Sequence, residues 1–129
     1  MAKTRIATIA LVVPDYAAGL DFYVTRLGWT CLSDIDLGDG KRWVTVAPPG
    51  ADCALLLARA VTDDQRAAIG NQTGGRVGFF LETDDFEDSH ARMLAAGVEF
   101  LEQPRQESYG SVAVWRDPFG NTWDLIGRR

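Results

Sequence analysis

Ile6-Ala7-Thr8-Ile9-Ala10-Leu11-Val12-Val13-Pro14-Asp15-Tyr16 opens the chain, and Arg76-Val77-Gly78-Phe79-Phe80-Leu81-Glu82-Thr83-Asp84-Asp85-Phe86 repeats its pattern at an offset of 70 residues. Each stretch is a short apolar run that ends on an aspartate followed by an aromatic. Runs of this length, rich in branched and aromatic side chains, suit buried strands. A short carboxylate at Asp15 or Asp85 is placed to accept the free amides of a first helical turn. The helical stretches that follow stop at Gly28 and Gly97, so the second is one residue shorter. Glycine there supplies the left-handed residue that ends a helix. Farther out, Pro48-Pro49-Gly50 matches Asp117-Pro118-Phe119-Gly120, the offset returns to 70, and Leu55 falls opposite Leu125. Three markers in the same order predict an internal repeat.

Each copy reads as one strand, one helix and three strands. In the first, apolar Leu20, Tyr23, Val24 and Leu27 recur at helical spacing and predict one buried stripe. Strands are expected over 29–35, 42–47 and 53–58, broken by Gly38-Asp39-Gly40 and by the Pro-Pro-Gly turn. The second copy supplies strands at 98–101, 111–116 and 122–127. Between the copies, Thr62 and Gln65 have capping-box spacing for a short connecting helix, and 71–75 reads as a linker. The predicted fold class is α+β: two tandem β-α-β-β-β modules forming a curled eight-stranded mixed sheet around a cup, built within one chain or across a dimer. The whole of 1–129 is read as a single domain, with module 1 at about 4–60, the connector at about 61–75 and module 2 at about 76–129.

The composition narrows the function classes. In 129 residues, 47% are hydrophobic and 24% charged, which is an ordinary globular balance. Thirteen Lys and Arg against eighteen Asp and Glu give a net charge of −5, which argues against nucleic acid, whose phosphates call for clustered cations. No run approaches the roughly 18 apolar residues of a membrane span, and the N-terminus lacks a secretory signal pattern. A cytoplasmic protein is expected. Cys31 and Cys53 sit in apolar segments and read as reduced core thiols. The single histidine, His90, falls on a helix flank with no nucleophile near it, so no catalytic role is expected for it.

The paired β-α-β-β-β order, together with Val13-Pro14-Asp15, Phe22-Tyr23, Leu27-Gly28-Trp29, Gly97-Val98 and Arg116-Asp117-Pro118-Phe119-Gly120-Asn121, resembles the vicinal oxygen chelate superfamily, which is the glyoxalase, bleomycin-resistance and extradiol-dioxygenase group. The resemblance spans nearly the whole chain and is specific for fold rather than reaction. It implies that metal-dependent members take ligands from the first and last strand of each copy. Here those places hold Thr8, Ala54, Gly78 and Asp124. Alanine and glycine carry no donor, and a threonine hydroxyl is neutral, whereas catalytic zinc or iron sites usually use about three His, Cys, Asp or Glu ligands. No metal and no cofactor is therefore expected. Glu82 is read as a rim carboxylate that would reach Asp124 only in a non-standard site.

If the inward positions of the family carry over, the cup contains Thr8, Ala10, Ala54, Leu56, Gly78, Phe80, Thr122 and Asp124, with Trp43, Tyr109 and Trp115 around it. Small side chains where ligands would stand leave room, and apolar room suits a small molecule. Asp124 needs a partner, with Arg76 and Arg42 as candidates. The expectation is a metal-free, dimeric protein that binds or sequesters a small organic molecule, with no nucleic-acid or membrane partner. The alternative is a metal-dependent glyoxalase-type lyase or isomerase, or an extradiol-type dioxygenase, with an unusual metal site.

Overall fold

The computed structural model describes residues 1–128, so the expected end of the second module at 129 lies outside the described residues. Two compact units divide after Ala68, and each carries a sheet and the helix of its own repeat. The first contains β1 (Thr8–Val13), α1 (Tyr16–Leu20) continued by a π-helical turn (Asp21–Arg26), β2 (Thr30–Gly38), β3 (Lys41–Ala47), β4 (Ala54–Arg59) and α2 (Asp63–Ala68). Its sheet runs β1-β4-β3-β2, with β1 and β4 parallel and the other pairs antiparallel. The second contains β5 (Phe79–Thr83), α3 (Phe86–Ala95), β6 (Glu99–Phe100), β7 (Arg105–Glu107), β8 (Gly110–Arg116) and β9 (Thr122–Arg128). Its sheet runs β5-β9-β8-β6, with β7 also paired to β8 and β5 parallel to β9. The class is mixed α+β, as the repeat predicts.

Helix caps form where the aspartates stand. Asp15 Oδ1 accepts from the Ala18 amide at 2.7 Å and Asp85 Oδ1 from the Asp88 amide at 3.1 Å. Gly28 and Gly97 close the helical segments at φ of 78° and 83°, a conformation that costs other residues about 1–2 kcal/mol. Thr62 and Gln65 make the expected cap of α2. The extra residue of the first helix is absorbed as the π-helical turn, where the Leu27 amide reaches back to the Phe22 carbonyl at 2.9 Å. That turn rotates the helix face, so the buried positions are Tyr16, Gly19, Phe22 and Tyr23. Leu20, Val24 and Leu27, expected in the stripe with Tyr23, are only half-buried.

The second sheet carries one strand more than the repeat predicts. A continuous partner for β8 is interrupted between β6 and β7, where Pro104 has no amide to donate. Glu102 mends the gap: its Oε2 accepts the Val114 amide at 2.9 Å. Each module buries an aromatic cluster under its helix. Phe22, Tyr23 and Trp29 meet at ring distances of 4.9 and 5.1 Å, and Phe79, Trp123 and Trp115 stack at 4.9 Å each. The expectation of core thiols is corrected: Cys31 and Cys53 are exposed, because Cys31 stands near the exposed start of β2 and Cys53 in the bend just before β4.

Candidate functional site

Pleating decides which residues can form a site. In the first sheet Thr8 pairs with Ala54, Ala10 with Leu56, and Thr45 with Leu56. Side chains alternate along a strand, so Thr8, Ala10, Ala54, Leu56, Trp43 and Thr45 share one face. Leu11, Val13, Leu57 and Val44 fill the other, where Leu57 and Val13 approach Gly19 of α1. The helix covers that second face and leaves the first one open.

A cleft of about 760 Å³ opens on this helix-free face. Thr8, Ala54 and Thr45 form its floor, and Trp43 and Leu32 line its walls. Thr45 is buried, and its Oγ1 lies 2.5 Å from Ser33 Oγ on the neighbouring strand. Trp43 keeps 42% of its surface exposed at the wall. Leu32 joins because the β2–β3 register shifts between Cys31 and Ser33, and a bulge re-aims a side chain. Arg5, Asp52 and Cys53 stand at the rim, with Arg5 Nη1 donating to the Asp52 carbonyl at 2.9 Å. The cleft thus unites expected Thr8, Trp43 and Ala54 with unexpected Leu32, Thr45, Arg5, Asp52 and Cys53. Thr45 was legible from its two-residue spacing to Trp43; the bulge that recruits Leu32 carries no sequence signal. Ala10 and Leu56 lie on the same face but outside the cleft lining.

The second module distributes its candidates differently. Asp124 stands opposite Phe80 on β5 and Val114 on β8; Gly78, just before β5, donates its amide to the Thr122 carbonyl. Phe80, Thr122, Asp124 and Val114 therefore share the helix-free face. Trp115 does not. It pairs with Trp123, is 0% exposed and stacks in the aromatic core under α3, so the expected pocket wall is core. The space expected at Gly78 is filled as well: a Cβ there would stand 2.1 Å from Thr73 Cγ2. Tyr109 is half exposed in the turn before β8 and interacts with Arg105.

Asp124 is 9% exposed, and its Oδ1 has no hydrogen-bond partner. Burial pushes its carboxyl up from the ordinary 3.8; Arg105 opposes this and Glu102 reinforces it. The candidate partners Arg42 and Arg76 are occupied elsewhere. Arg42 grips Asp34 at 3.0 and 2.5 Å, and Arg76 Nε donates to the Val77 carbonyl. Glu82 takes a bond from Arg128 Nε at 2.6 Å and stays at the exposed rim. His90 of α3 packs its ring between Phe86 of the same helix and Phe100 of β6.

The donor set does not fit the metal that the fold family implies. Ala54 and Gly78 offer no atom, and Thr8 offers a neutral hydroxyl. Among the described residues no group of three His, Cys, Asp or Glu side chains could hold an ion. Nor does a helix of the described residues have the length and apolarity to cross a membrane.

Comparison with known proteins agrees with this architecture. The chain is 48% identical over 126 residues to an uncharacterized protein of Shewanella frigidimarina, covering 96% of this chain and 93% of that one. Among solved structures, it is similar to a superfamily member from Sphaerobacter thermophilus, with TM-score 0.81, 30% identity and 98% of both chains covered. It is also similar to TnmS3, an antibiotic binding protein from Streptomyces sp. CB03234, with TM-score 0.79, 31% identity, and 100% and 99% coverage. The family model of the Glyoxalase/Bleomycin resistance protein/Dioxygenase superfamily matches residues 5–125, and the chain belongs to that superfamily.

Proposed function

We propose that this protein binds a small organic molecule in the cleft of its first module without the help of a metal ion. The observation that carries this reading is the cleft itself. It is about 760 Å³ in volume, floored by small side chains and walled by a half-exposed tryptophan. Such a volume suits a drug-sized ligand, and an exposed indole offers a stacking surface. The lining sets apolar Leu32 and Trp43 beside the polar side chains of Arg5, Thr8, Thr45 and Asp52, so the cleft offers a stacking surface together with hydrogen-bonding groups. The similarity to an antibiotic binding protein at 31% identity supports binding over turnover. No nucleophile–base pair accompanies the cleft: Cys53 stands at the rim, and His90 is packed between two phenylalanines in the other module.

The working form is a homodimer in a reducing compartment. Leu32, Ile35 and Leu37 are each about half exposed along the edge strand β2, where apolar side chains beside unpaired backbone groups favour association. The two thiols are free. Light scattering on the purified chain checks the mass.

The binding test is a thermal-shift screen of planar aromatic compounds, followed by tryptophan fluorescence. A ligand present at 100 times its dissociation constant stabilises by about 2.7 kcal/mol. The expected hit quenches emission in the parent and loses about tenfold in affinity with Trp43→Ala. Hits indifferent to that substitution overturn the assignment. Stoichiometric zinc, iron, nickel or manganese in protein purified without chelators overturns the metal-free reading.

A further inference from the structure

The cleft of the first module differs at its two ends. Thr8 and Ala54 are Cα partners, as are Thr45 and Leu56; β1 runs parallel to β4, and β3 antiparallel to it. Trp43, two residues before Thr45, therefore lies toward one end of the cleft. Arg5, three residues before Thr8, lies toward the other, beside the Asp52 and Cys53 that precede β4. One end offers an indole surface and the other a guanidinium.

That guanidinium is anchored without being used up. Arg5 is exposed, and its Nη1 donates to the Asp52 carbonyl at 2.9 Å, which fixes the group at the rim. An arginine carries five N–H donors, and the edge formed by Nε and Nη2 presents two of them in parallel to a carboxylate. In the same sheet Arg42 spends that edge on Asp34, with Nε at 3.0 Å and Nη2 at 2.5 Å. Arg66, Arg92, Arg105, Arg116 and Arg128 hold carboxylates too. Arg5 holds none among the described residues: from its neighbour Asp52 it takes the backbone oxygen, not the carboxylate. Its Nε–Nη2 edge stays open to an oxyanion that enters the cleft.

The chemistry that suits both ends is an elongated aromatic acid. The ring stacks on Trp43, and the carboxylate takes the open edge of Arg5 in a two-point, charge-assisted bond, which is stronger than a neutral one.

We propose that the cleft selects aromatic carboxylates and that Arg5 is the residue that recognises the anionic group. This rests on the cleft being the ligand site, and it adds the charge and the shape of the ligand to that reading.

The test is titration calorimetry of the full chain with biphenyl-4-carboxylate and with biphenyl-4-carboxamide, which has nearly the same shape and no charge. The acid is expected to bind about tenfold more tightly than the amide. Arg5→Gln lowers the affinity for the acid to that for the amide and leaves the amide unchanged, whereas Trp43→Ala weakens both. Because the Arg5 side chain is exposed, Arg5→Gln keeps the melting temperature of the parent. Equal affinity for acid and amide in the parent, or a preference that survives Arg5→Gln, overturns the role of Arg5; the cleft still stands as the site if Trp43→Ala weakens both ligands. Tighter binding of biphenyl-4-methylammonium than of the acid also overturns it, since recognition then falls to Asp52. Absence of saturable binding, or binding indifferent to Trp43→Ala, overturns this proposal and the cleft reading together.

Discussion

The two modules descend the same pattern of strand, helix and three strands, yet their helix-free faces differ in chemistry. The first is nearly uncharged at its centre, where Thr8, Ala10, Ala54 and Leu56 leave a cleft beside Trp43. The second places a buried carboxylate and an exposed phenylalanine on the corresponding strands. The difference rests on few residues: at the offset of 70, alanine at 10 becomes phenylalanine at 80, and alanine at 54 becomes aspartate at 124. A sheet tolerates such exchange because the helix-facing side chains hold the module together, while the other face only has to avoid clashes. What a repeat conserves in packing it can vary in recognition.

The sharpest contrast lies between two tryptophans, one on each third-strand hairpin. Trp115→Ala removes the fully buried end ring of a three-ring stack and is expected to cost about 4 kcal/mol in urea unfolding. Trp43→Ala, at the cleft wall, is expected to change stability by no more than about 0.5 kcal/mol. Equal losses would mean that the first open face is packed as core and that the modules are alike after all.

The two buried aspartates give the next contrast. Asp117→Ala strands two backbone amides in a buried turn and is expected to cost about 2–3 kcal/mol. Asp124 is read through pH. Its folded carboxyl holds the proton above the ordinary 3.8, so the native state binds more protons than the unfolded one across that interval. Stability credited to the protonated form is present at and below the ordinary value and is lost as pH rises through the raised one. Urea midpoints taken from acid to neutral pH are therefore expected to fall for the parent relative to Asp124→Asn, and a rising difference would place a hidden donor on the carboxylate.

The smallest effect is expected at the surface. Arg116 and Glu99 join β8 to β6 at 2.5 Å in the open, and the pair pulls the Glu99 carboxyl below its usual range. Water and salt screen such contacts, so Arg116→Ala is expected to leave the thermal midpoint unchanged at physiological ionic strength. A measurable drop would show that the short strand β6 depends on this clasp.

Much of the architecture was legible because it depends on local chemistry. Asp15 and Asp85 cap helices through their own side chains, Gly28 and Gly97 end them through their own backbone freedom, and the alternation of β1 and β5 sorts residues onto two faces. The extra residue in the first helix was visible as a length difference, although its resolution as a π-helical turn was not, since that depends on what Phe22 and Tyr23 find to pack against. The interruption that creates β7 could be suspected at Pro104; its repair by Glu102 needed the three-dimensional neighbour.

The site was less legible because it depends on register and on companions far away in the chain. The family resemblance, with strand alternation, assigned Thr8, Ala54 and Trp43 to a pocket and named Asp124 as a carboxylate in need of a partner. It also placed Trp115 on the wrong face, read room at Gly78 that Thr73 fills, and counted two exposed thiols as core. The order of residues determined the repeat, its helix boundaries and the lack of a His, Cys, Asp or Glu side chain at Thr8, Ala54 and Gly78, all properties of side chains and their immediate neighbours. Only the tertiary structure decided that one aspartate is satisfied and the other is not, because a hydrogen bond depends on angstroms that no spacing along the chain contains.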